Sequence, residues 1–152
     1  MTRIRRISTD ETMALKHENL TGQIIKGFYR VYNELGYGFL EKVYENALAL
    51  ELDSMGLRVR WQQPISVYYL GRQVGYYYAD LIIEGVVIIE LKCGEALCIA
   101  HEAQLLNYLK ATDIEVGLLL NFGPKPEFRR KIFTNDKKRH REIVSETDEE
   151  SV

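Results

Sequence analysis

The sequence is poor in cysteine, in long apolar runs and in net charge, and each shortage narrows the class of protein. Cys93 and Cys98 are the two cysteines, and without a nearby histidine pair their spacing forms no zinc site. No run reaches the roughly 18 consecutive apolar residues of a membrane span. The Arg-rich start MTRIRRISTD lacks the apolar region of a secretory signal. We expect a cytoplasmic protein with two reduced thiols and no membrane contact.

The balance of charge leaves nucleic-acid binding open. A formal charge of -2 and a pI near 6.0 neither draw the chain to a polyanion nor exclude one, so any such binding must be local. With 152 residues, 46% of them hydrophobic, the chain can bury one sizeable core. We predict a single domain over residues 18–135, with polar, flexible segments at 1–17 and 136–152.

Apolar periodicity predicts an α/β fold. Residues 19–35 and 39–54 repeat apolar side chains at three- and four-residue intervals, which indicates two amphipathic helices. Three strand-like runs, at 58–70, 73–84 and 86–92, follow as an antiparallel meander. After them come a helix at 95–112, a buried strand at 115–122 and a short final element at 128–133. The run VVIIEL is apolar at even and odd positions, which predicts a central strand covered on both faces.

The hairpin YADLIIEGVVIIELK carries three charges in otherwise apolar sequence. Because side chains alternate along a strand, Glu90 and Lys92 share a face. A two-residue turn at Glu84-Gly85 would set Asp80 on the opposite face. A three-residue loop over 84–86, or one bulge, would set Asp80 opposite Glu90. We predict the second arrangement.

Two carboxylates that converge on a partly buried patch need a compensating cation. Their repulsion and lost hydration cost several kcal/mol unless one protonates or a cation binds. Carboxylate oxygens, with waters and the Leu91 carbonyl, are hard ligands of the kind that Mg²⁺ prefers. Lys92 would then lie beside the metal's water shell, an arrangement that suits phosphodiester hydrolysis. The alternative is that the charges at this strand end form ordinary ion pairs.

Three motifs resemble a known superfamily. Asp80 followed by Glu90-Leu91-Lys92 across a hairpin is similar to the D…ExK signature of the PD-(D/E)XK nucleases, with Ala79 in place of the name-giving proline. The stretch GFLEKVY, residues 38–44, resembles the motif of the small bacterial GxxExxY proteins. Residues 104–108, QLLNY, resemble the QxxxY motif of RecB-like nucleases. The resemblance extends from about Leu20 to Phe133.

The resemblance implies a fold and a set of roles. The fold is a three-layer sandwich with a central four-stranded mixed sheet flanked by helices. The resemblance also implies Mg²⁺ or Mn²⁺ as the cofactor and hydrolysis of nucleic acid as the activity, with DNA favoured over RNA. Asp80 and Glu90 resemble the metal ligands and Lys92 the catalytic lysine. Glu41 resembles the helix glutamate that supports the metal, and Gln104 and Tyr108 resemble the pair that contacts the substrate backbone.

The supporting residues also have structural interpretations. Glu41, in a first helical turn, would complement the helix dipole. Tyr44 lies on the same helix face as Glu41, where its hydroxyl either reaches the substrate site or is satisfied in the core. His101 joins the stripe of Gln104 and Tyr108, but a lone histidine is usually structural.

Two further groups of side chains suit a nucleic-acid partner. Alternation predicts that Tyr76 and Tyr78 share the face of Asp80, where they would stack on bases or simply favour the strand. A basic tract would either follow a phosphate backbone or be a solvated charged segment: Lys125, Arg129, Arg130, Lys131, Lys137, Lys138, Arg139 and Arg141.

Three functions remain for test. The leading hypothesis is a Mg²⁺-dependent nuclease. The second is a non-catalytic module that kept the fold and binds nucleic acid or a protein. The third is a structural protein, which predicts no metal affinity. Because 152 residues leave no room for a separate recognition domain, sequence-specific cleavage would require a homodimer or a protein partner.

Overall fold

The computed structural model describes residues 16–138. It contains three α-helices, α1 (Glu18–Leu35), α2 (Glu41–Ser54) and α3 (Ile99–Lys110), and five strands, β1 (Val59–Tyr69), β2 (Arg72–Ile83), β3 (Val87–Lys92), β4 (Val116–Phe122) and β5 (Pro126–Ile132). Over this range no helix is both long and apolar enough to cross a membrane. A short 3₁₀ turn, Asn135–Lys137, ends the described chain.

The terminal segments predicted to be flexible fall mostly beyond these limits. Residues 1–15 and 139–152, including Arg139 and Arg141, lie outside the described range. Past the predicted boundary at 136, Lys138 is buried and its Nζ donates to the carbonyl oxygens of Thr112 and Ile114, at 2.8 and 2.7 Å. The described chain therefore stays attached to the domain to its last residue.

The sheet has five strands in the order β1-β2-β3-β4-β5, not the four that the resemblance implies. The extra strand is β5, the short final element of the sequence, which pairs antiparallel with β4 from Val116–Ile132 to Phe122–Pro126. Its residues are almost all half-buried, as expected of an edge strand with one covered face, and its charged residues obscure the strand pattern. The prediction that 86–92 is central is confirmed, because β3 lies between β2 and β4 and is almost wholly buried.

Helices cover both faces of the sheet, which confirms the predicted three-layer sandwich. On one face α1 and α2 pack against alternate strand residues, among them Leu81, Ile89 and Leu118. On the other face α3 packs against Ile88 and Leu119. The β3–β4 pair is parallel and joined through α3, whereas the other neighbouring pairs are antiparallel. The sheet is therefore mixed, as predicted.

In the outer half of the β1–β2 hairpin, the side chains point to the opposite faces of the sheet from those that regular alternation would give. Residues two apart normally share a face, yet Leu81 packs with α1 and α2 whereas Ala79 packs on the α3 side. Directly opposite the intervening residue, Asp80, the register places Gln62, whose φ of 47° is rare for a residue other than glycine. The reversal occurs at this pair.

This reversal makes one prediction wrong. The predicted face is the α3 side of the sheet, because Asp80 is expected opposite Glu90, and Ile88, two residues before Glu90 on β3, packs with α3. Tyr76 and Tyr78 do not lie on that side; their hydroxyls bond each other at 2.7 Å, and both side chains are about half exposed. Tyr77 instead faces α3, with its ring centroid 5.7 Å from that of Tyr108. Simple alternation fails here because one backbone irregularity moves every side chain beyond it, towards the tip of the hairpin, to the other face of the sheet.

Gly123 keeps the loop after β3 close to the end of β4. A Cβ at this position would lie 2.3 Å from the Gly94 carbonyl oxygen. We expect Gly123→Ala to lower the free energy of unfolding by about 1–3 kcal/mol, measured by urea denaturation, since the backbone must move. Gly22 on α1 has no atom within 4 Å of its would-be Cβ. Gly22→Ala, the control, should be neutral or stabilise by up to about 1 kcal/mol.

Candidate active site

The β2–β3 connection satisfies the predicted geometric condition. The ladder pairs Leu81 with Ile89 and Ile83 with Val87, so the register sets Asp80 opposite Glu90. Glu84 and Gly85 have φ of 54° and 69°, the positive values that tight hairpin turns require, and the Val86 N–H donates to the Ile83 carbonyl at 3.0 Å. Val86 is the extra residue before the ladder begins. The three-residue connection over 84–86 is confirmed.

The two carboxylates occupy the place where β2 and β3 separate. The β2–β3 pairing ends at Leu81 and Ile89, while β3 continues beside β4 as far as Lys92. In the gap, Asp80 Oδ2 accepts the Leu91 N–H at 2.8 Å, and Glu90 Oε1 accepts the Asp80 N–H at 3.1 Å. The two carboxylates thus accept hydrogen bonds from backbone N–H groups that have no partner in the neighbouring strand. These bonds hold both carboxylates in defined positions.

Burial and mutual repulsion make this pair costly to ionise. Glu90 is 4% exposed, and its burial, followed by the negative charge of Asp80, raises its pKa to about 9. Burial also raises the pKa of Asp80, against the opposing effects of the Leu91 N–H and of Lys92. A second positive charge in contact with the pair would lower both pKa values and remove this cost.

Lys92 is held by α3. Its Nζ donates to Gln104 Oε1 at 3.2 Å, and Gln104 Nε2 donates to the Tyr108 hydroxyl at 3.1 Å. Burial, followed by the negative charge of Glu90, raises the pKa of Tyr108 to about 12, so this hydroxyl stays protonated at neutral pH. The predicted residues of β3 and α3 therefore form one continuous chain of polar contacts.

A second acidic group approaches Asp80 from α2. Partial burial raises the pKa of Glu41, and the charge of Asp80 adds to the rise. One helical turn further, Glu45 is 4% exposed, accepts a hydrogen bond from Gln62 Nε2 at 2.8 Å and pairs with Lys42 at 3.4 Å. Glu45 was not predicted. Its i+4 spacing from Glu41 was the available signal, whereas nothing in the sequence marks Gln62.

Two other predicted residues have mainly local contacts. Tyr44 is fully buried, its ring stacks on Phe122 at 4.3 Å, and its hydroxyl donates to the Gly36 carbonyl at 2.6 Å and accepts the Phe39 N–H. This position fits support of the loop before Glu41 rather than direct contact with a substrate. His101 Nδ1 accepts the Cys98 N–H at 3.4 Å, which caps α3.

The basic tract makes ion pairs within the domain. Lys131 pairs with Glu102 of α3 at 2.8 Å, and Arg129 lies 3.9 Å from Glu127. Lys125 and Lys137 are exposed. Part of the tract therefore stabilises packing of β5, and only part of it faces solvent.

The donor set fits a hard divalent cation that keeps several waters. Between residues 16 and 138, no three or more His, Cys, Asp or Glu side chains gather closely enough to hold a metal by themselves. Asp80 and Glu90 do converge, and their raised pKa values show that the site disfavours two negative charges in the absence of a compensating cation. Mg²⁺ is commonly bound by one or two carboxylates, with water completing its octahedron. Two side chains are therefore sufficient for this class of ion.

Comparison with known proteins assigns the family. The fold is similar to the crystal structure of SSO0001, with a TM-score of 0.51 and 19% identity over 89% of this chain and 68% of that one. An alkaline exonuclease (LHK-Exo) from Laribacter hongkongensis aligns with a TM-score of 0.47 and 12% identity over 96% of this chain and 81% of that one. No curated protein sequence matches. The model of the PD-(D/E)XK nuclease superfamily matches residues 18–131, and the chain belongs to that superfamily.

Proposed function

We propose that this protein is a divalent-metal-dependent nuclease that hydrolyses phosphodiester bonds, with DNA preferred over RNA. The observation that carries the proposal is the pair formed by half-buried Asp80 and buried Glu90 in the gap between β2 and β3, with Lys92 next to it. An ion-pair explanation of these charges is less suitable, since Lys92 donates to Gln104 and burial leaves Glu90 with a strongly raised pKa.

Asp80 and Glu90 are the proposed ligands of Mg²⁺ or Mn²⁺, with the Leu91 carbonyl as a further oxygen donor. Glu41 acts on the same centre through its water shell, consistent with its electrostatic interaction with Asp80. A divalent ion held there would supply an activated water and would neutralise charge that develops on the phosphate. The side chains of this protein supply the position of that water and of the substrate.

Lys92 is the residue proposed to act on the reacting atoms. An ammonium beside two carboxylates can orient the attacking water and neutralise a phosphate oxygen. Gln104 limits the freedom of Lys92 by accepting its hydrogen bond, and Tyr108 in turn fixes the Gln104 amide. The one remaining N–H of Gln104 and the Tyr108 hydroxyl suit contacts to a phosphate backbone.

The sequence motifs support a more specific family, source and mode of cleavage. GFLEKVY at 38–44 supports membership of the GxxExxY proteins and a bacterial source. A cytoplasmic location agrees with the sequence. Because one domain contains the whole site, we propose structure-directed or nonspecific cleavage for the single chain. Sequence-specific cleavage would need a second copy or a partner protein.

A cleavage assay on defined substrates tests the proposal. Labelled single-stranded DNA, duplex DNA, branched DNA and RNA are incubated with Mg²⁺, Mn²⁺ or EDTA. Cutting that needs the metal and is lost in the Asp80→Ala, Lys92→Ala double variant supports a nuclease. Cutting that persists in the double variant identifies a contaminating enzyme and overturns the assignment. Binding without cutting would instead favour the non-catalytic module.

Gln104 provides a graded test of the polar chain. We expect Gln104→Leu, which has a similar volume but no acceptor for Lys92, to lower the cleavage rate roughly tenfold, within the 10–100-fold typical of supporting residues around metal sites. Metal binding, measured by calorimetry, should remain, because both carboxylates are intact. Leu106→Gln is a control on a neighbouring, half-buried position of α3. A Gln104→Leu enzyme with the wild-type rate would show that this contact does not position Lys92.

A further inference from the structure

A cleft lies beside the candidate active site, between α3 and the outer half of the β1–β2 hairpin. Its volume is about 870 Å³, at the upper end of the roughly 300–1,000 Å³ of ligand pockets. The reversal of the hairpin faces at Gln62 and Asp80 creates it, since that reversal turns Tyr77 towards α3. Its lining includes Val67, Tyr68, Tyr77, Ala103, Asn107 and Lys110.

The cleft is continuous with the candidate active site. Gln104 and Tyr108 line it, and the same two residues form the polar chain to Lys92. Tyr108 is also close enough to Glu90 for the negative charge of that residue to raise its pKa. A molecule in the cleft would therefore lie next to the groups that act on a phosphodiester.

The chemistry of the walls suits a nucleobase. Tyr77 presents an aromatic face, since it is 48% exposed, and it packs on the buried ring of Tyr108 with centroids 5.7 Å apart and ring planes inclined at 43°. Asn107 adds an amide group that can bond the edge of a base, and Lys110 adds a cation for a neighbouring phosphate. Aromatic faces with nearby amides and a cation are the elements by which proteins bind single-stranded nucleic acid.

We propose that this cleft binds an unpaired, unstacked base of the strand whose phosphate lies at Asp80 and Glu90, which makes the substrate single-stranded or frayed nucleic acid. The proposal rests on the proposed nuclease function. Bases inside a duplex are covered on both faces by their neighbours, so a base must leave the stack before it can enter this cleft. Single strands and frayed ends meet this condition at the lowest cost.

Binding measurements on matched tyrosine variants test the cleft. Fluorescence anisotropy in EDTA reports binding of a labelled oligothymidine or of a labelled duplex without cleavage. We expect Tyr77→Ala to weaken single-strand binding roughly tenfold, the effect of one stacked base, and to leave duplex binding unchanged. Tyr76 is on the same strand, faces away from α3 and is similarly exposed, at 52% against 48% for Tyr77. Tyr76→Ala should bind like the wild type.

A second variant blocks the cleft without removing an aromatic ring. Ala103 is exposed on α3 and lines the cleft, so Ala103→Leu adds volume there without disturbing the core. We expect the same selective loss of single-strand binding. Wild-type affinity in both Tyr77→Ala and Ala103→Leu, or an equal loss for single strands and duplex, would overturn the proposal.

The two proposals fail separately. Metal-dependent cleavage whose single-strand preference is unchanged by Tyr77→Ala and Ala103→Leu would leave the nuclease function and overturn the base-binding cleft. Single-strand binding that depends on Tyr77, in a protein that cuts no substrate, would retain the cleft and overturn the nuclease. Repeating the binding series with oligouridine decides whether the base belongs to DNA or RNA.

Discussion

Asp80→Asn should abolish metal-dependent cleavage and at the same time stabilise the metal-free protein. The substitution removes a proposed metal ligand charge, and we expect the cleavage rate to fall by roughly a hundredfold or more. It keeps an oxygen that can accept the Leu91 N–H, now at 2.8 Å from Asp80 Oδ2. Because the charge of Asp80 is the second largest cause of the raised pKa of Glu90, its loss relieves repulsion in the fold.

The opposite signs of these effects separate a functional centre from a structural ion pair. Asp53, exposed on α2, gives the matched control Asp53→Asn, which should change neither quantity. The measurements are single-turnover cleavage and urea denaturation in EDTA at pH 8. A variant that is less stable than the wild type, with full cleavage, would show that Asp80 is a structural residue.

The stability of the metal-free protein should fall as pH rises from about 5 to 9. Folding raises the pKa of Glu90 from 4.5 to about 9, so the folded state binds a proton that the unfolded chain has released. The associated stabilisation is complete below the unfolded pKa and is lost as pH rises through the folded pKa. The pKa of Asp80 is also raised, which adds a contribution of the same sign. A tenfold difference in proton affinity corresponds to about 1.4 kcal/mol, so the total is several kcal/mol.

Divalent metal should remove most of this pH dependence. A cation at the carboxylates replaces the proton, so the stability difference between metal-bound and metal-free protein should grow with pH. Urea denaturation across the range, with EDTA or with Mn²⁺, measures the difference. Glu90→Gln should flatten the metal-free curve, since it removes the carboxyl whose pKa folding raises most. Metal-free stability that is constant or rises from pH 5 to 9 would contradict this electrostatic description.

The sequence sufficed for those parts of the site that depend on local spacing. Because side chains alternate along β3, Glu90 and Lys92 lie on the same face of the sheet. Whether the β2–β3 connection has two residues or three decides the face on which Asp80 lies. The first follows from the period of two along a strand. For the second, the glycine at 85 marks a turn but not its length, and the three-residue connection was predicted as the condition under which the two carboxylates meet; the structure has that connection. The central position of β3 followed from its continuous apolar run.

The features that were predicted wrongly or missed are those that depend on tertiary packing. The side on which Tyr76 and Tyr78 lie depends on the reversal at Gln62 and Asp80, and neither of these two residues is a glycine or a proline. The fifth strand, β5, has only one covered face and many charges, so its edge position hides its pattern. The burial of Glu45 depends on packing between α2 and β1, which spacing along the chain does not report.

Titration of Mn²⁺ into the metal-free protein tests the central claim most directly, that Asp80 and Glu90 form a divalent-metal centre. Calorimetry at pH 7 in two buffers of different ionisation enthalpy reports both the affinity and the number of protons released. We predict saturable binding in the wild type, with release of about one proton from the carboxylate pair, and loss of that binding in Glu90→Gln. Absence of binding in the wild type, or equal binding in Glu90→Gln, would contradict the claim.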